Sequence, residues 1–139
     1  MNTWDRFRWP AVALFIVVGA AIYANALDVP FYFDDTQNIL ENPHIRVTGL
    51  GVDQIARAAS ESHIPRRPVA NLSFALNYYF HGYRVAGYHG VNIAVHVLAG
   101  VFLFLLLQLT LELPVLRSMF RHPGLTAFFS ALLWFTHPI

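Results

Sequence analysis

The chain of 139 residues contains no cysteine, no lysine and few charged side chains of either sign. The absence of cysteine excludes disulfides, thiolate metal ligands and a cysteine nucleophile. All nine basic residues are arginine, and eight acidic residues bring the formal net charge to +1. Because the arginines form no basic run, the sequence predicts no nucleic-acid partner. Charged residues make up 12% of the chain, against roughly 25% in an ordinary soluble domain.

Apolar residues dominate instead, at 56% of the chain. A soluble domain of this size cannot bury so much apolar surface, so the composition predicts an integral membrane protein. A helix needs about 20 residues to cross a bilayer core; the third of the candidate segments, with 16 residues, is barely long enough. We predict an all-α membrane protein forming a single domain over residues 1–139, with an outer loop over 28–87. Its three transmembrane helices are expected at about 10–27, 88–111 and 124–139.

The first apolar segment has an alternative interpretation as a cleavable secretory signal. Arg6 and Arg8, a short apolar run and the sequence Ala24-Asn25-Ala26 have the order of such a signal. Since the segment is still present in the chain, we expect an uncleaved anchor.

Arginine placement predicts the orientation. Arg6 and Arg8 precede the first span, and Arg117 and Arg121 lie in the short connection between the second and third. Arginines in short loops mark the cytoplasmic side of a membrane. If the spans alternate, all four lie on that side, so the N-terminus is cytoplasmic and the loop 28–87 is extracytoplasmic.

The outer loop is too long to be a mere connection. Asp53 suits the first turn of a short helix over 52–60, and Pro68 suits the start of a second helix that ends near His81. The second helix has one apolar and one polar face. It would lie along the membrane surface as an amphipathic, interfacial helix or pack on other protein. The apolar set is Val69, Leu72, Leu76 and Tyr79; the polar set is Ser73, Asn77 and His81. Asn71-Leu72-Ser73 matches a glycosylation acceptor, which a helical position disfavours.

A polar stripe occupies the outer half of the second predicted span. At about 100° per residue, its four members project within roughly 80° of one another. Polar groups facing lipid would be costly, so the stripe is expected to face protein or a cavity. A glycine there would let another helix approach closely. The stripe consists of His89, Asn92, His96 and Gly100.

The two histidines of this stripe lie roughly 10 Å apart along a helix axis. His89 and His96 therefore cannot share a metal ion unaided, although either could join ligands from elsewhere. A lone intramembrane histidine could also bind a haem or pigment. The alternative is that both are hydrogen-bonded inside a helix bundle.

Two adjacent carboxylates, Asp34 and Asp35, follow the first apolar segment. Ionisable groups at the edge of a membrane span usually mark a pathway or a reactive site. The alternative is structural, a helix N-cap or a turn, because Asp-Asp-Thr before Gln-Asn-Ile-Leu is also a good helix start.

The ordered series of motifs resembles the N-terminal region of polytopic GT-C glycosyltransferases. It is most similar to the transmembrane and tetratricopeptide-repeat O-mannosyltransferases and their bacterial relatives. Those proteins have an aspartate pair after the first span, then an Arg-Pro with an Asn-rich helix. A Gly-Tyr-His…Asn…His start of the second span follows, and later a His-Pro. The matching segments are FYFDDTQNILENP (31–43), RRPVANLSFALNYYFHG (66–82), GYHGVNIAVH (87–96) and FTHPI (135–139).

The resemblance implies an inverting sugar transfer from a polyprenyl-phosphate donor to an extracytoplasmic acceptor. Asp34 or Asp35 would be the catalytic base, with a slight preference for Asp35, and the pair could also hold a divalent cation. Arg66 or Arg67 would contact the donor phosphate. The membrane would be a bacterial inner membrane, with the loop 28–87 in the periplasm. The residues expected to shape the site or face a partner are His89, Asn92, His96 and His137.

Length is the main departure from that family, whose members have many more spans. The chain ends within a motif, at His137-Pro138-Ile139. We therefore expect part of a longer enzyme that is inactive by itself. The alternative is a truncated, non-catalytic subunit that packs on and stabilises a larger membrane complex, including one with pigment or haem bound through His96.

Overall fold

The computed structural model describes the backbone of residues 3–137 and the side chains of residues 7–137. Helices joined by turns make up this part of the chain, which confirms the all-α prediction there. A 3-10 helix (Ala24–Asp28), a π-helix (Thr36–Leu40) and a second 3-10 helix (Pro43–Ile45) lie between the first two α-helices. The α-helices are α1 (Thr3–Tyr23), α2 (Val52–Glu61), α3 (Pro68–His81), α4 (Val85–Leu111), α5 (Pro114–Arg117) and α6 (Pro123–Thr136).

Two helical segments, Phe7–Asp28 and Val85–Leu111, are long and apolar enough to cross a membrane. Only 17% and 11% of their apolar stretches are buried in the structure. A core helix of a soluble protein would be mostly buried, so this exposure suits contact with lipid. The segments match the predicted spans at 10–27 and 88–111.

The third predicted span, 124–139, is not confirmed as a membrane crossing. Helix α6 has 14 residues, or about 21 Å at 1.5 Å per residue, against a bilayer core of about 30 Å. The last two residues of the predicted span, 138 and 139, lie outside the described part of the chain.

Local signals set the ends of α3. Pro68 occupies its first turn, where the missing N–H is not needed for helical hydrogen bonding. Gly82 ends it with a φ of 59°, a left-handed conformation that glycine adopts without steric cost. The bounds expected for α2 and α3 therefore agree with the structure to within one residue.

The described chain divides into two compact units. Residues up to 24 and from 92 onward form one, called here the apolar bundle; residues 25–91 form the other, the loop unit. In the apolar bundle, α1, α4 and α6 pack around three phenylalanine rings that are fully buried: Phe15, Phe104 and Phe135.

Two glycines make room for the ring of Phe135 in the apolar bundle. A methyl group on Gly19 would lie 2.9 Å from Phe135 Cζ, and one on Gly100 would lie 2.7 Å from Phe135 Cδ2. Both distances are too short for carbon atoms in contact. The close helix approach predicted at Gly100 is thus confirmed.

The loop unit packs α3 through two asparagines as well as through Ala75. Asn71 and Asn77 are buried, at 3% and 6% exposure, whereas Val69 and Leu76 are exposed. The Asn71 amide donates hydrogen bonds to carbonyl oxygens near the end of α2, which draws this face inward. The packed face coincides with neither expected set, because Asn77 is buried while His81, of the same polar set, is exposed. The core of the unit consists of Ile39, Ile45, Val47, Ala58, Ala75 and Tyr88.

Candidate functional site: a carboxylate–arginine cleft

A tight turn presents the aspartate pair. The Asp35 N–H donates to the Tyr32 carbonyl at 3.2 Å, and the Tyr32 N–H donates to Asp35 Oδ2 at 3.2 Å. Between them Phe33 has a φ of 57°, which is uncommon for a bulky residue and costs of the order of 1–3 kcal/mol. Backbone strain of this kind clusters at functional sites, so the turn favours a functional role for the carboxylates.

The π-helix that follows fixes the backbone of Asp34. Asn38 donates from its N–H at 3.0 Å and from Nδ2 at 2.9 Å to the Asp34 carbonyl oxygen. Short π-helical segments are rare and occur frequently at functional sites. Asp35 stands at the N-cap position of this helix, but its side chain makes no capping hydrogen bond. Helix capping therefore does not explain why a carboxylate is present there.

The two carboxylates line a cleft of about 60 Å³ in the loop unit. Its opposite side comes from the segment before α3 and from the first turns of that helix. Of the two arginines predicted to contact phosphate, Arg67 lines the cleft and Arg66 does not. The polar lining residues are Asp34, Asp35, Asn38, Arg67 and Asn71; the apolar ones are Ile64, Ala70 and Phe74.

The charged side chains of the cleft keep atoms free for a ligand. Asp35 is half-buried and uses one carboxylate oxygen for Tyr32. Asp34 is exposed, and within residues 7–137 its carboxylate has no hydrogen-bond or ion-pair partner. Arg67 forms no ion pair with either aspartate in the described chain. A carboxylate can accept the proton of a hydroxyl group, and a guanidinium can bind phosphate through two parallel hydrogen bonds.

The size of the cleft limits what it can hold. Pockets for small-molecule ligands usually measure about 300–1,000 Å³, several times the 60 Å³ found here. The cleft accommodates a reacting group, such as a hydroxyl or part of a phosphate. A complete sugar donor needs further walls.

In the described chain, the cleft offers two carboxylates as metal ligands but no third carboxylate or histidine side chain. Among the described residues, no group of three His, Asp or Glu side chains could hold a metal ion. A divalent cation at Asp34 and Asp35 would take its other ligands from water and from a bound phosphate, as Mg²⁺ often does.

In the polar stripe, His96 is hydrogen-bonded inside the apolar bundle. Its Nε2 lies 3.2 Å from the Tyr23 hydroxyl and 3.0 Å from the Phe135 carbonyl oxygen. The Tyr23 hydroxyl donates to the same carbonyl at 3.0 Å, and the imidazole stacks on the Phe135 ring at 4.8 Å. Because Nε2 is engaged, only Nδ1 remains for a haem or pigment.

The other predicted residues have surroundings of their own. His89 belongs to the loop unit, where its Nε2 lies 2.8 Å from the Val29 carbonyl oxygen. Asn92 is exposed among the described residues, so its expected role at a site or against a partner stays a prediction. At about 100° per residue it lies roughly 80° from Gly100, at the edge of the stripe. His137 caps the end of α6, its N–H donating to the Trp134 carbonyl at 3.3 Å.

Two cleft residues, Asn38 and Asn71, were not predicted as site residues. Asn71 follows Arg67 by four positions, a spacing that places both on one helical face and could have identified it. Its Nδ2, the atom that glycosylation would modify, is buried and donates to the carbonyls of Ala59 and Ile64. A buried Nδ2 is not accessible for modification, in agreement with the expectation that the Asn71-Leu72-Ser73 motif is not glycosylated. Asn38 has no comparable signal, since its role depends on the π-helix.

The span-length apolar helices and the carboxylate–arginine cleft point to a helical membrane protein with a candidate acid–base site. Comparison with known proteins finds relatives that share one name. The chain is 30% identical over 135 residues to a Caenorhabditis elegans protein O-mannosyl-transferase, covering 91% of this chain and 19% of that protein. It is 32% identical to human protein O-mannosyl-transferase TMTC1, covering 94% and 15%. Mouse TMTC3, also named a protein O-mannosyl-transferase, is 32% identical, covering 92% and 14%.

Homologues of this chain are therefore protein O-mannosyl-transferases, in agreement with the resemblance drawn from its motifs. The chain spans less than a fifth of the length of these relatives. No family model matches it, and no solved structure matches it.

Proposed function

We propose that the chain belongs to the protein O-mannosyl-transferase family and contributes the catalytic base to an extracytoplasmic sugar-transfer site. The observation that carries the proposal is the cleft lined by Asp34, Asp35 and Arg67. The names of the homologues support the chemistry, since all three relatives described above are mannosyl-transferases.

In this mechanism Asp35 removes the proton of an acceptor hydroxyl as its oxygen attacks the anomeric carbon of the sugar. The new C–O bond forms while the bond to a polyprenyl phosphate breaks, and the phosphate leaves with the electron pair. Arg67 binds the departing phosphate. The hydrogen bond from Tyr32 supports Asp35 as the base, because it orients the carboxylate and leaves one oxygen free. Asp34 assists electrostatically or through a divalent cation.

The proposed topology places the loop unit outside the cytoplasm and α6 as a third membrane crossing. Short-loop arginines support a cytoplasmic N-terminus; in a bacterial inner membrane the cleft would then be periplasmic. The exposed apolar side of α3, with Val69, Leu76 and Phe80, suits the membrane surface.

Two neighbouring arginines provide a matched test. In the complete protein in membranes, Arg67→Gln should raise the KM for polyprenyl-phosphate mannose about tenfold, since a charge-assisted hydrogen bond contributes about 1.5–3 kcal/mol. Arg66→Gln is the control, because Arg66 lies outside the cleft, and it should leave the KM unchanged. Equal effects of the two substitutions would contradict the proposed site.

A second candidate function is a non-catalytic subunit of a larger membrane complex. The exposed apolar side of α3 favours it, because such a surface also suits a protein partner. Changing Val69 and Leu76 to serine would then release the chain from the complex, while Arg67→Gln would have no effect on sugar transfer. Native gel size and the transfer assay together separate the two candidates.

A further inference from the structure

The loop unit has a second and larger pocket, of about 340 Å³, which shares no lining residue with the carboxylate–arginine cleft. It lies between the segment 43–48 and helix α2. One wall carries His44, Arg46 and Thr48, and the other carries Gln54, Arg57 and Glu61.

The positions of the lining residues along the chain explain why their side chains face the pocket. Ile45 and Val47 are buried, at 0% and 5% exposure, whereas Arg46 and Thr48 between and after them are exposed. On α2, Gln54, Arg57 and Glu61 follow the i, i+3, i+7 spacing of one helical face, and Ala58, four residues after Gln54, is buried beside that face.

Several of these side chains are held in place by the protein. Arg46 Nη2 donates to the Leu40 carbonyl at 2.8 Å. Gln54 Oε1 accepts the N–H groups of Thr48 and Gly49 at 2.9 and 3.2 Å. His44 Nδ1 lies 3.5 Å from Glu61 Oε2.

The groups left free at the pocket are mainly donors. Within residues 7–137, the Arg57 guanidinium has no hydrogen-bond or ion-pair partner, and Gln54 Nε2 makes no hydrogen bond. The remaining N–H groups of Arg46 are likewise unused. Such a set is complementary to a ligand rich in oxygen acceptors.

We propose that this pocket binds a polypeptide through an acidic side chain. Two arginines and Glu61 give the lining a charge of +1 with His44 neutral. That charge matches one carboxylate better than a phosphate monoester, which carries about −1.5 to −2. Apart from Pro43 the lining offers no exposed apolar side chain for a lipid. The volume lies within the about 300–1,000 Å³ range of ligand pockets.

This inference rests on the proposed function, because it takes the bound polypeptide to be the acceptor of the sugar. The site would then select acceptors with a glutamate or aspartate near the modified hydroxyl residue. It is distinct from the cleft that carries the base, so the two can be tested separately.

The test measures peptide binding to the complete protein in nanodiscs by fluorescence anisotropy. The probes are a labelled twelve-residue peptide with one threonine flanked by glutamates and the same peptide with glutamines. We expect the glutamate peptide to bind about tenfold more tightly, as charge-assisted bonds to arginine allow. Arg57→Gln should abolish this preference, whereas Glu61→Gln, which removes the competing carboxylate, should increase it. Arg84→Gln is the matched control, since Arg84 is exposed and lines neither pocket.

Equal affinity for the two peptides would overturn the proposal, as would an unchanged preference in Arg57→Gln. Competition by vesicles of anionic phospholipid that is lost in Arg57→Gln would also overturn it, in favour of a lipid headgroup. Binding does not require turnover. A glutamate preference without sugar transfer would therefore contradict the proposed function alone, and transfer without the preference would contradict this inference alone.

Discussion

The apolar bundle and the loop unit are stabilised by different interactions. Large aromatic rings fill the core of the bundle, with Phe135 seated against Gly19 and Gly100. The loop unit has a mixed core, in which aliphatic side chains surround Tyr88, and it also buries the amides of Asn71 and Asn77. Short helices leave many backbone carbonyls without partners, and Asn71 donates to two carbonyls at and beyond the end of α2.

The difference has a consequence for function. Within the bundle, Nε2 of the stripe residue His96 already lies within hydrogen-bond distance of the Tyr23 hydroxyl and of a backbone carbonyl. These contacts give the imidazole a structural role. In the loop unit, Asp34 and Arg67 keep their charged groups free within the described chain. Unoccupied charged groups that line one cleft are the better candidates for chemistry.

The largest expected effect comes from removing the central ring of the bundle. Phe135→Ala would leave a cavity between the two glycines and should lower the free energy of unfolding by about 3–5 kcal/mol. Thermal unfolding in detergent measures this. Phe129→Ala is the matched control, because Phe129 is 62% exposed. Equal losses in both variants would contradict packing as the main interaction in the bundle.

A somewhat smaller effect is expected from a buried amide in the loop unit. Asn71→Leu keeps the approximate volume but leaves the Ala59 carbonyl without its side-chain donor, while the Ile64 carbonyl still accepts the Arg67 N–H. The loss should cost about 1–3 kcal/mol. Amide hydrogen exchange should then accelerate in α2 and α3 but not in α6. Asn92→Leu, at an exposed position, is the control and should leave amide exchange unchanged. If Asn71→Leu also accelerated exchange in α6, the two units would not be stabilised separately.

The smallest effect concerns the polar contact inside the bundle. Tyr23→Phe removes the hydroxyl that donates to the Phe135 carbonyl, but His96 still lies 3.0 Å from that oxygen. We expect a loss of only about 1 kcal/mol in unfolding free energy. Tyr32→Phe is the control, because Tyr32 is 76% exposed. A loss as large as that of Phe135→Ala would mean that polar contacts govern the bundle too.

Local signals made part of this structure predictable. The apolar lengths identify two helices of span length, and Pro68 and Gly82 mark the ends of α3. The aspartate pair and Arg67 could be selected as site residues, but the sequence did not separate Arg67 from Arg66. That distinction depends on how the start of α3 packs against the turn at Asp34, which is a tertiary property.

Other features have no reliable local signal. The left-handed Phe33 and the π-helix that follows depend on the hydrogen bonds of one particular turn. The periodicity of α3 does not identify the face that packs inward, because Asn71 is drawn inward by its hydrogen bonds to carbonyls of α2 and of the α2–α3 connection. The third span, the orientation and the roles of His89, Asn92 and His137 stay predictions.

The most direct test of the account is sugar transfer by Asp35→Asn in the complete protein. Asparagine retains an oxygen that can accept the Tyr32 N–H, so the turn should be preserved while the base is lost. We expect kcat to fall by about 10²–10⁴-fold, with donor binding retained, and Asp53→Asn at an exposed position of α2 to be unaffected. Transfer at the wild-type rate in Asp35→Asn would contradict the assignment of Asp35 as the base.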